Sequence, residues 1–264
     1  MRDFASAPLI ALLTDFGLDD PYVGQMKAVL LRRCPEARLV DLGHGLPRGD
    51  VRLGALHLAT SFRHFADGAV FLAVVDPGVG GPRRPAAARS GGYCFVGPDN
   101  GLLFPAATAA GTPRWATLDR RSLHARPVSA TFHGRDVFAP VAAALAKGMH
   151  LDDVGTPLAD PVELRFPAPR ETDDGHVGEV LAVDRFGNAI TNLTPDLLRG
   201  DVEIEIAGVR LRGLAGSYDA VKSGEPLALI GSQGYCEIAI RDGSAAEALG
   251  LSPGDAVVAR LHAG

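Results

Sequence analysis

Leu9-Ile10-Ala11-Leu12-Leu13-Thr14-Asp15 is an apolar run of strand length that stops at a hydroxyl and a carboxylate. Outward from it, Val23, Met26, Val29, Leu30 and Leu31 recur at helical spacing and predict a helix over 21–33, with Pro21 at its first position and Asp19 or Asp20 as its cap. A second strand over 38–42 runs into Gly43-His44-Gly45, and a second helix over 50–63 has Asp50 as its cap. A third strand over 69–75 ends in Asp76-Pro77-Gly78-Val79-Gly80-Gly81, a turn that no strand can continue through. Strand, helix, strand, helix, strand predicts parallel pairing with crossover helices.

Further along, 93–96 reads as a strand, Pro98-Asp99-Asn100-Gly101 as a turn, and the Ala-rich stretch 138–147 as a helix. Pro157, Pro161, Pro167 and Pro169 disfavour helix and central strand, so this stretch is expected to be a linker. Beyond it the pattern changes to short apolar or alternating segments at 177–183, 202–206, 209–211, 226–230, 236–240 and 256–261, with short helices possible only at 195–198 and 245–249. The expected architecture is an N-terminal parallel-sheet α/β domain over 1–165 and a smaller C-terminal antiparallel β-barrel domain over 175–264.

The 264 residues carry a net charge of -5 with no basic run, which argues against nucleic acid as a partner. Cys34, Cys94 and Cys236 are scattered and odd in number, so neither a zinc knuckle nor a disulfide framework is expected. Met1 to Ala5 lacks a signal-peptide core and no apolar run reaches the length of a membrane span, so the chain is read as cytoplasmic.

Ligands of an open parallel sheet bind beyond the carboxyl ends of its strands, which is where Asp15, His44 and Asp76 fall. Asp15 also suits a turn or helix cap, and His44 between two glycines suits a structural role. The Gly-dense setting of Asp76 lets backbone approach a ligand closely. Phe132-His133-Gly134-Arg135-Asp136 places an imidazole, a cation and a carboxylate before a helix, either as a hydrogen-bonding cluster or as a device that handles water near neutral pH. Asp184-Arg185-Phe186-Gly187-Asn188 is a polar turn between apolar strands. His124 and His133 lie nine apart with no third ligand in sight, so no metal site is expected. The chain contains no GxGxxG after its first strand, no GxxxxGK[ST], no GxSxG and no HExxH.

Six segments, in order, resemble one family: Leu13-Thr14-Asp15-Phe16-Gly17; Val74-Val75-Asp76-Pro77-Gly78-Val79-Gly80; Pro98-Asp99-Asn100-Gly101-Leu102-Leu103; Thr131-Phe132-His133-Gly134-Arg135-Asp136; Asp184 to Asn188 with Thr191-Asn192; and Gly231-Ser232-Gln233-Gly234-Tyr235. The family is the adenosine-forming S-adenosylmethionine hydrolases, or S-adenosylmethionine hydroxide adenosyltransferases, relatives of the bacterial fluorinase and chlorinase. The resemblance implies an α/β domain joined to a β-barrel, and homotrimers with each site between the N-terminal domain of one subunit and the C-terminal domain of its neighbour.

It also implies a water-activating trio of Asp76, Arg83 and His133, with Arg83 chosen over the adjacent Arg84 by spacing. Halogenating relatives lack this trio, so water is the implied nucleophile. By matching position, Asp15 binds the ribose, Asn188 reads an adenine edge and Phe186 packs on the substrate. Asp184, Ser232 and Glu237 hold the methionine amine and carboxylate, and Tyr235 also belongs to the substrate-binding set. Gly134 stands where the fluorinase has serine, and Arg48 departs from an aromatic near the substrate. S-adenosylmethionine is substrate, and no cofactor is implied. The alternatives are a non-catalytic sensor of S-adenosylmethionine or adenosine, and halide-dependent cleavage.

Overall fold

The structure is a computed structural model, and it describes residues 7–262. The signal-peptide reading of Met1 to Ala5 lies outside the described residues. The fold is mixed α/β, and the chain divides into two compact units between Arg165 and Phe166.

The first unit is built on β1 (Leu9–Thr14), β2 (Arg38–Gly43), β3 (Val70–Val74), β4 (Pro85–Ser90), β5 (Tyr93–Pro98) and β6 (Arg114–Thr117). These strands lie in the order β2-β1-β3-β5-β4-β6. The first four are parallel, with Leu12 beside Asp41 and Leu72, and Leu72 beside Val96. The helices are α1 (Tyr22–Arg33), α2 (Val51–Ser61), α3 (Phe104–Ala110) and α4 (Ala139–Ala146). α1 packs on α4 and α2 on α3, so the central strands are buried on both faces. Ile10, Leu12, Val70 and Leu72 meet Met26, Leu30 and Phe138 in one core layer.

The sheet is mixed rather than wholly parallel. β4 runs antiparallel between β5 and β6, joined to β5 by the Gly91-Gly92 hairpin turn, and β6 follows the direction of the parallel strands. Neither was expected from sequence, because Pro85-Ala86-Ala87-Ala88 is poor in the β-branched and aromatic residues that mark strands. Asp50 does cap α2, accepting from the Leu53 N–H at 2.9 Å. Asp19 and Asp20 do not cap α1: Pro21 occupies the cap position, its carbonyl takes the Gln25 N–H, and both acids stay exposed. The expected linker is half wrong as well. Leu158 donates to the Trp115 carbonyl and Val162 to Asp99, while Arg84 grips Asp160, so residues 157–165 are pinned to the first unit. Proline excludes regular structure, but not anchoring by side chains.

The second unit holds β7 (Arg170–Thr172), β8 (Gly175–Val183), β9 (Ala189–Thr191), β10 (Asp201–Ile206), β11 (Val209–Arg212), β12 (Pro226–Ile230), β13 (Cys236–Ile240), α5 (Ala245–Leu249) and β14 (Ala256–His262). The strands run β11-β10-β14-β8-β9-β13-β12, all antiparallel, with β7 added beside β8. Ala215, just past β11, bridges Leu229 of β12 and nearly closes the sheet into a barrel. Inward residues such as Val180, Ile204, Ile238 and Val257 fill its interior.

Candidate active site

β3 ends at Val74, and two residues later Asp76 opens the glycine-rich loop. The loop folds tightly: the Val79 N–H returns to the Asp76 carbonyl, and Gly80 sits at φ +76°, where a Cβ would come within 2.5 Å of the Ala130 carbonyl oxygen. That fold turns Arg83 back onto Asp76. Arg83 Nε donates to Asp76 Oδ1 at 2.9 Å, and Arg83 Nη2 donates to Oδ2, a two-point grip on a carboxylate whose side chain is only 4% exposed. The guanidinium carbon also lies 5.2 Å from the Phe138 ring centre.

Arg83 Nη2 reaches a third group, His133 Nδ1, at 2.9 Å. A guanidinium is a donor only, so Nδ1 must accept and the ring proton must sit on Nε2. His133 is therefore a neutral imidazole in a defined tautomer. Burial and the Arg83 charge push its pKa below the usual histidine value, against smaller opposing effects of Asp76 and Asp136. His133 stands at the mouth of a π-helical turn, Gly134–Phe138, that leads into α4. Asp136 pins that turn, accepting from Arg135 through both oxygens and from the Ser129 N–H. A Cβ on Gly134 would stand 3.1 Å from Met26 Sδ and 3.3 Å from Phe132.

Arg84 takes a different course. It donates to Asp99 at 2.8 Å and to both the side chain and the carbonyl of Asp160. The arginine next to Arg83 thus ties down the chain segment that leaves the first unit.

At the end of β1, Asp15 Oδ2 accepts the Gly49 N–H at 2.8 Å, while Oδ1 has no partner among the described residues. Thr14 beside it is held by His44, Oγ1 to Nδ1 at 2.8 Å. His44 Nε2 lies 3.1 Å from Asp41 Oδ1 in a poorly aligned ion-pair contact, and Lys27 Nζ donates to Asp41 Oδ2. The structural reading of His44 is the one its contacts support. Arg48 is exposed, next to the glycine that fixes Asp15.

In the second unit the 184–188 turn is organised by its first residue. Asp184 Oδ1 accepts the Phe186 and Asn188 N–H groups, and Oδ2 accepts from Asn188 Nδ2. This presents Phe186 with 76% of its surface exposed and leaves Asn188 Oδ1 without a hydrogen-bond partner among the described residues. Both residues border a cleft of about 620 Å³ with Tyr218, Ile240 and Arg241.

Glu237, on β13, is buried and accepts from Tyr218 Oη at 2.9 Å. Burial pushes its pKa above the usual carboxyl value and the charge of Asp184 adds to this, against the Tyr218 hydrogen bond. The Tyr218 hydroxyl is pushed up to about 12, by burial and then by Glu237. Gly231 makes room for this carboxyl: a Cβ there would fall 1.7 Å from Glu237 Oε1. Ser232 is exposed at the tip of the following turn, and the Tyr235 carbonyl closes that turn onto the Gly231 N–H.

Residues 10–155 match the SAM hydroxide adenosyltransferase N-terminal domain and residues 178–258 the C-terminal domain. The chain belongs to this family. It is 46% identical over 253 residues to the (R)-S-adenosyl-L-methionine hydrolase of Thermus thermophilus, covering 93% of this chain and 96% of the relative. A fluorinase of Actinopolyspora mzabensis is more distant, at 29% identity over 97% of this chain and 98% of its own length. The crystal structure of an uncharacterized conserved protein from Thermotoga maritima superposes with a TM-score of 0.89 at 35% identity, covering 96% of this chain and all of the other.

Within this family frame the structure brings Asp76, Arg83 and His133 into direct contact, and gathers Asp184, Asn188 and Glu237 around Tyr218. Ser232 and Tyr235 make no side-chain hydrogen bond among the described residues. Tyr218 is the clearest residue that sequence reasoning passed over. Ser217-Tyr218-Asp219 carries no motif, and only the fold shows that its hydroxyl meets Glu237.

Proposed function

We propose that the chain hydrolyses S-adenosyl-L-methionine to adenosine and L-methionine. Water attacks C5′ in line with the sulfonium; the C5′–O bond forms as the C5′–S bond breaks, and its electron pair returns to sulfur. Methionine leaves as a neutral thioether, so the leaving group needs no acid. The proton of the attacking water passes to solvent. The observation that carries this reading is the interlocked trio of Asp76, Arg83 and His133.

In this reading the trio positions water more than it deprotonates it. His133 Nδ1 is engaged by Arg83 and Nε2 bears the proton, so the imidazole has no lone pair left to act as base in this arrangement. Asp76 is likewise taken up by Arg83. Fixed dipoles and charges that need no reorganisation during attack lower the barrier by holding the nucleophile in line. Such a site favours turnover over mere sensing.

The substrate contacts belong to the same proposal. Asp15 Oδ1 is open to a ribose hydroxyl, and the 620 Å³ cleft beside Asn188 and Phe186 suits adenine. The methionine ammonium is drawn chiefly to Glu237, because Asp184 is largely occupied within its own turn, and Ser232 and Tyr235 complete the set. We include a cytoplasmic homotrimer with no cofactor, nucleic acid or membrane partner in this reading. No helix of the described residues is long and apolar enough to cross a membrane.

The test is incubation with S-adenosylmethionine in ¹⁸O-water, with mass spectrometry of the adenosine. Label in the 5′-hydroxyl is expected, and ligand bound without adenosine overturns the reading. Running the (R) and (S) sulfonium epimers separately shows whether this chain shares the preference its relatives are named for. Light scattering checks the trimer.

A further inference from the structure

The glycine-rich loop that carries Asp76 and Arg83 has to cross another strand. It leaves β3 at Val75 and enters β4 at Arg84, and β5 lies between those two strands in the sheet. β3 and β5 are parallel, β4 is antiparallel to β5, and Pro98 at the end of β5 pairs with Pro85 at the start of β4. The loop therefore spans the carboxyl end of β5. Asp99 and Asn100, the residues that leave β5, emerge between its two roots.

Both roots are fastened to that pair. At the far root the Asp99 N–H donates to the Arg84 carbonyl at 2.9 Å, a main-chain bond that does not depend on the Arg84 side chain. At the near root Asn100 Nδ2 donates to the Val75 carbonyl at 2.9 Å. Asn100 Oδ1 accepts the Leu102 N–H at 3.2 Å, so the two ends of the amide face one acceptor and one donor. Val75 is fully buried, one residue past the end of β3, so its carbonyl is out of water and beyond the strand ladder. A buried carbonyl in that position needs a donor, and a side chain supplies it.

We propose that Asn100 is a positioning residue for the trio: its hold on the Val75 carbonyl fixes the peptide from which Asp76 departs, and so aims the carboxylate that holds Arg83 against His133. The Val75 carbonyl and the Asp76 N–H belong to one planar peptide unit, so a hydrogen bond to that oxygen sets the plane on which Asp76 is mounted.

The trio is sensitive to that plane. Arg83 meets both oxygens of Asp76 through Nε and Nη2, and the same Nη2 reaches His133. A two-point grip transmits rotation, so a carboxylate that turns carries the guanidinium with it and breaks the third contact. The loop's own bonds act elsewhere. The Val79 and Gly81 N–H groups return to the Asp76 and Gly78 carbonyls, and Gly80 abuts Ala130, which shapes the loop above its root.

The catalytic consequence rests on the hydrolase reading, but the positioning does not, so the first measurements need no substrate. NMR of the wild type should show a coupling through the hydrogen bond between Asn100 Nδ2 and the Val75 carbonyl carbon, with one side-chain amide proton protected from exchange. An Asn100 amide that exchanges freely and shows no coupling overturns the proposal, and this reading needs no variant to fold. Asn100→Ala adds no charge and removes the donor; the titration of His133 should then move up toward its ordinary 6.5, because the Arg83 charge is no longer fixed beside it. Asn100→Asp keeps the shape and the acceptor for Leu102 but has no amide donor. In the hydrolysis assay both variants should lower kcat by about 10- to 100-fold with KM unchanged, as misplaced catalytic groups do. A variant that melts earlier yet keeps the wild-type His133 titration and kcat makes Asn100 a structural residue and overturns the proposal. A wild type that forms no adenosine defeats the hydrolase reading alone, and the titration still judges the positioning.

Discussion

The trio in the first unit and the acids of the second handle charge in opposite ways. Asp76 is neutralised by Arg83 before any ligand arrives, and Arg83 leans on a neutral His133. Asp184 and Glu237 interact as like charges, and no arginine or lysine among the described residues pairs with either. The first arrangement is complete and rigid, as a device for orienting water should be. The second is incomplete until a cation enters, as a receptor for an ammonium should be.

The sharpest way to break the contrast is to remove the cation of the complete site. Arg83→Ala leaves Asp76 buried and unpaired, and should cost about 3–5 kcal/mol of stability and about 10³-fold in kcat. Arg84→Ala also unpairs a buried carboxylate, Asp99, and should cost a comparable amount, about 3–5 kcal/mol, but with kcat unchanged, so it is kcat that separates the two arginines. Urea melts and steady-state kinetics on the pair decide it. A larger loss of kcat from Arg84→Ala reverses the assignment made by spacing.

Packing should show the same contrast. Gly134→Ser pushes a side chain toward buried Met26 and Phe132, and should destabilise by about 1–3 kcal/mol. Its product should remain adenosine in high chloride or fluoride, because the trio is intact. Gly231→Ala meets Glu237 from Oε1 at 1.7 Å back to Cγ at 2.8 Å, and that side chain is buried against Tyr218, so its cost should appear in KM as well as in the melting curve.

The electrostatic contrast is read by pH. His133 is depressed below its ordinary 6.5, so the form that accepts from Arg83 persists as pH falls and is lost only below that value. Glu237 is raised above its ordinary 4.5, so the charge that attracts an ammonium is lost sooner than for a free carboxyl. The profile of kcat/KM in the free enzyme should carry both limbs. Glu237→Gln should delete the second limb, leave the first, and raise KM about 10-fold with little change in kcat. A profile unaltered by Glu237→Gln removes Glu237 from substrate binding.

What could be seen in the sequence divides along physical lines. Apolar runs ending in Thr14-Asp15 and Asp76-Pro77-Gly78 marked the parallel core, and 226–230, 236–240 and 245–249 were legible to the residue. Alanine-rich β4 was not, because its burial comes from neighbours and not from its own side chains. The trio was legible through a resemblance, yet the tautomer of His133 was not, since it depends on a bond spanning 50 residues. Tyr218 lies in a stretch with no motif, and its partner is set by the fold.

The smallest expected effect tests whether exposure in the second unit serves binding. Phe186 is 76% exposed, and a large apolar side chain held in water stabilises nothing in the unliganded protein. Phe186→Ala should leave stability within about 0.5 kcal/mol of wild type. Its loss should instead appear in KM, raised about 5-fold, near the lower end of what stacking a base on an aromatic contributes. kcat should hold, because Phe186 carries no group that could orient or deprotonate water. A drop in stability with unchanged KM makes Phe186 a structural residue and leaves Asn188 and Tyr218 as the walls of the cleft.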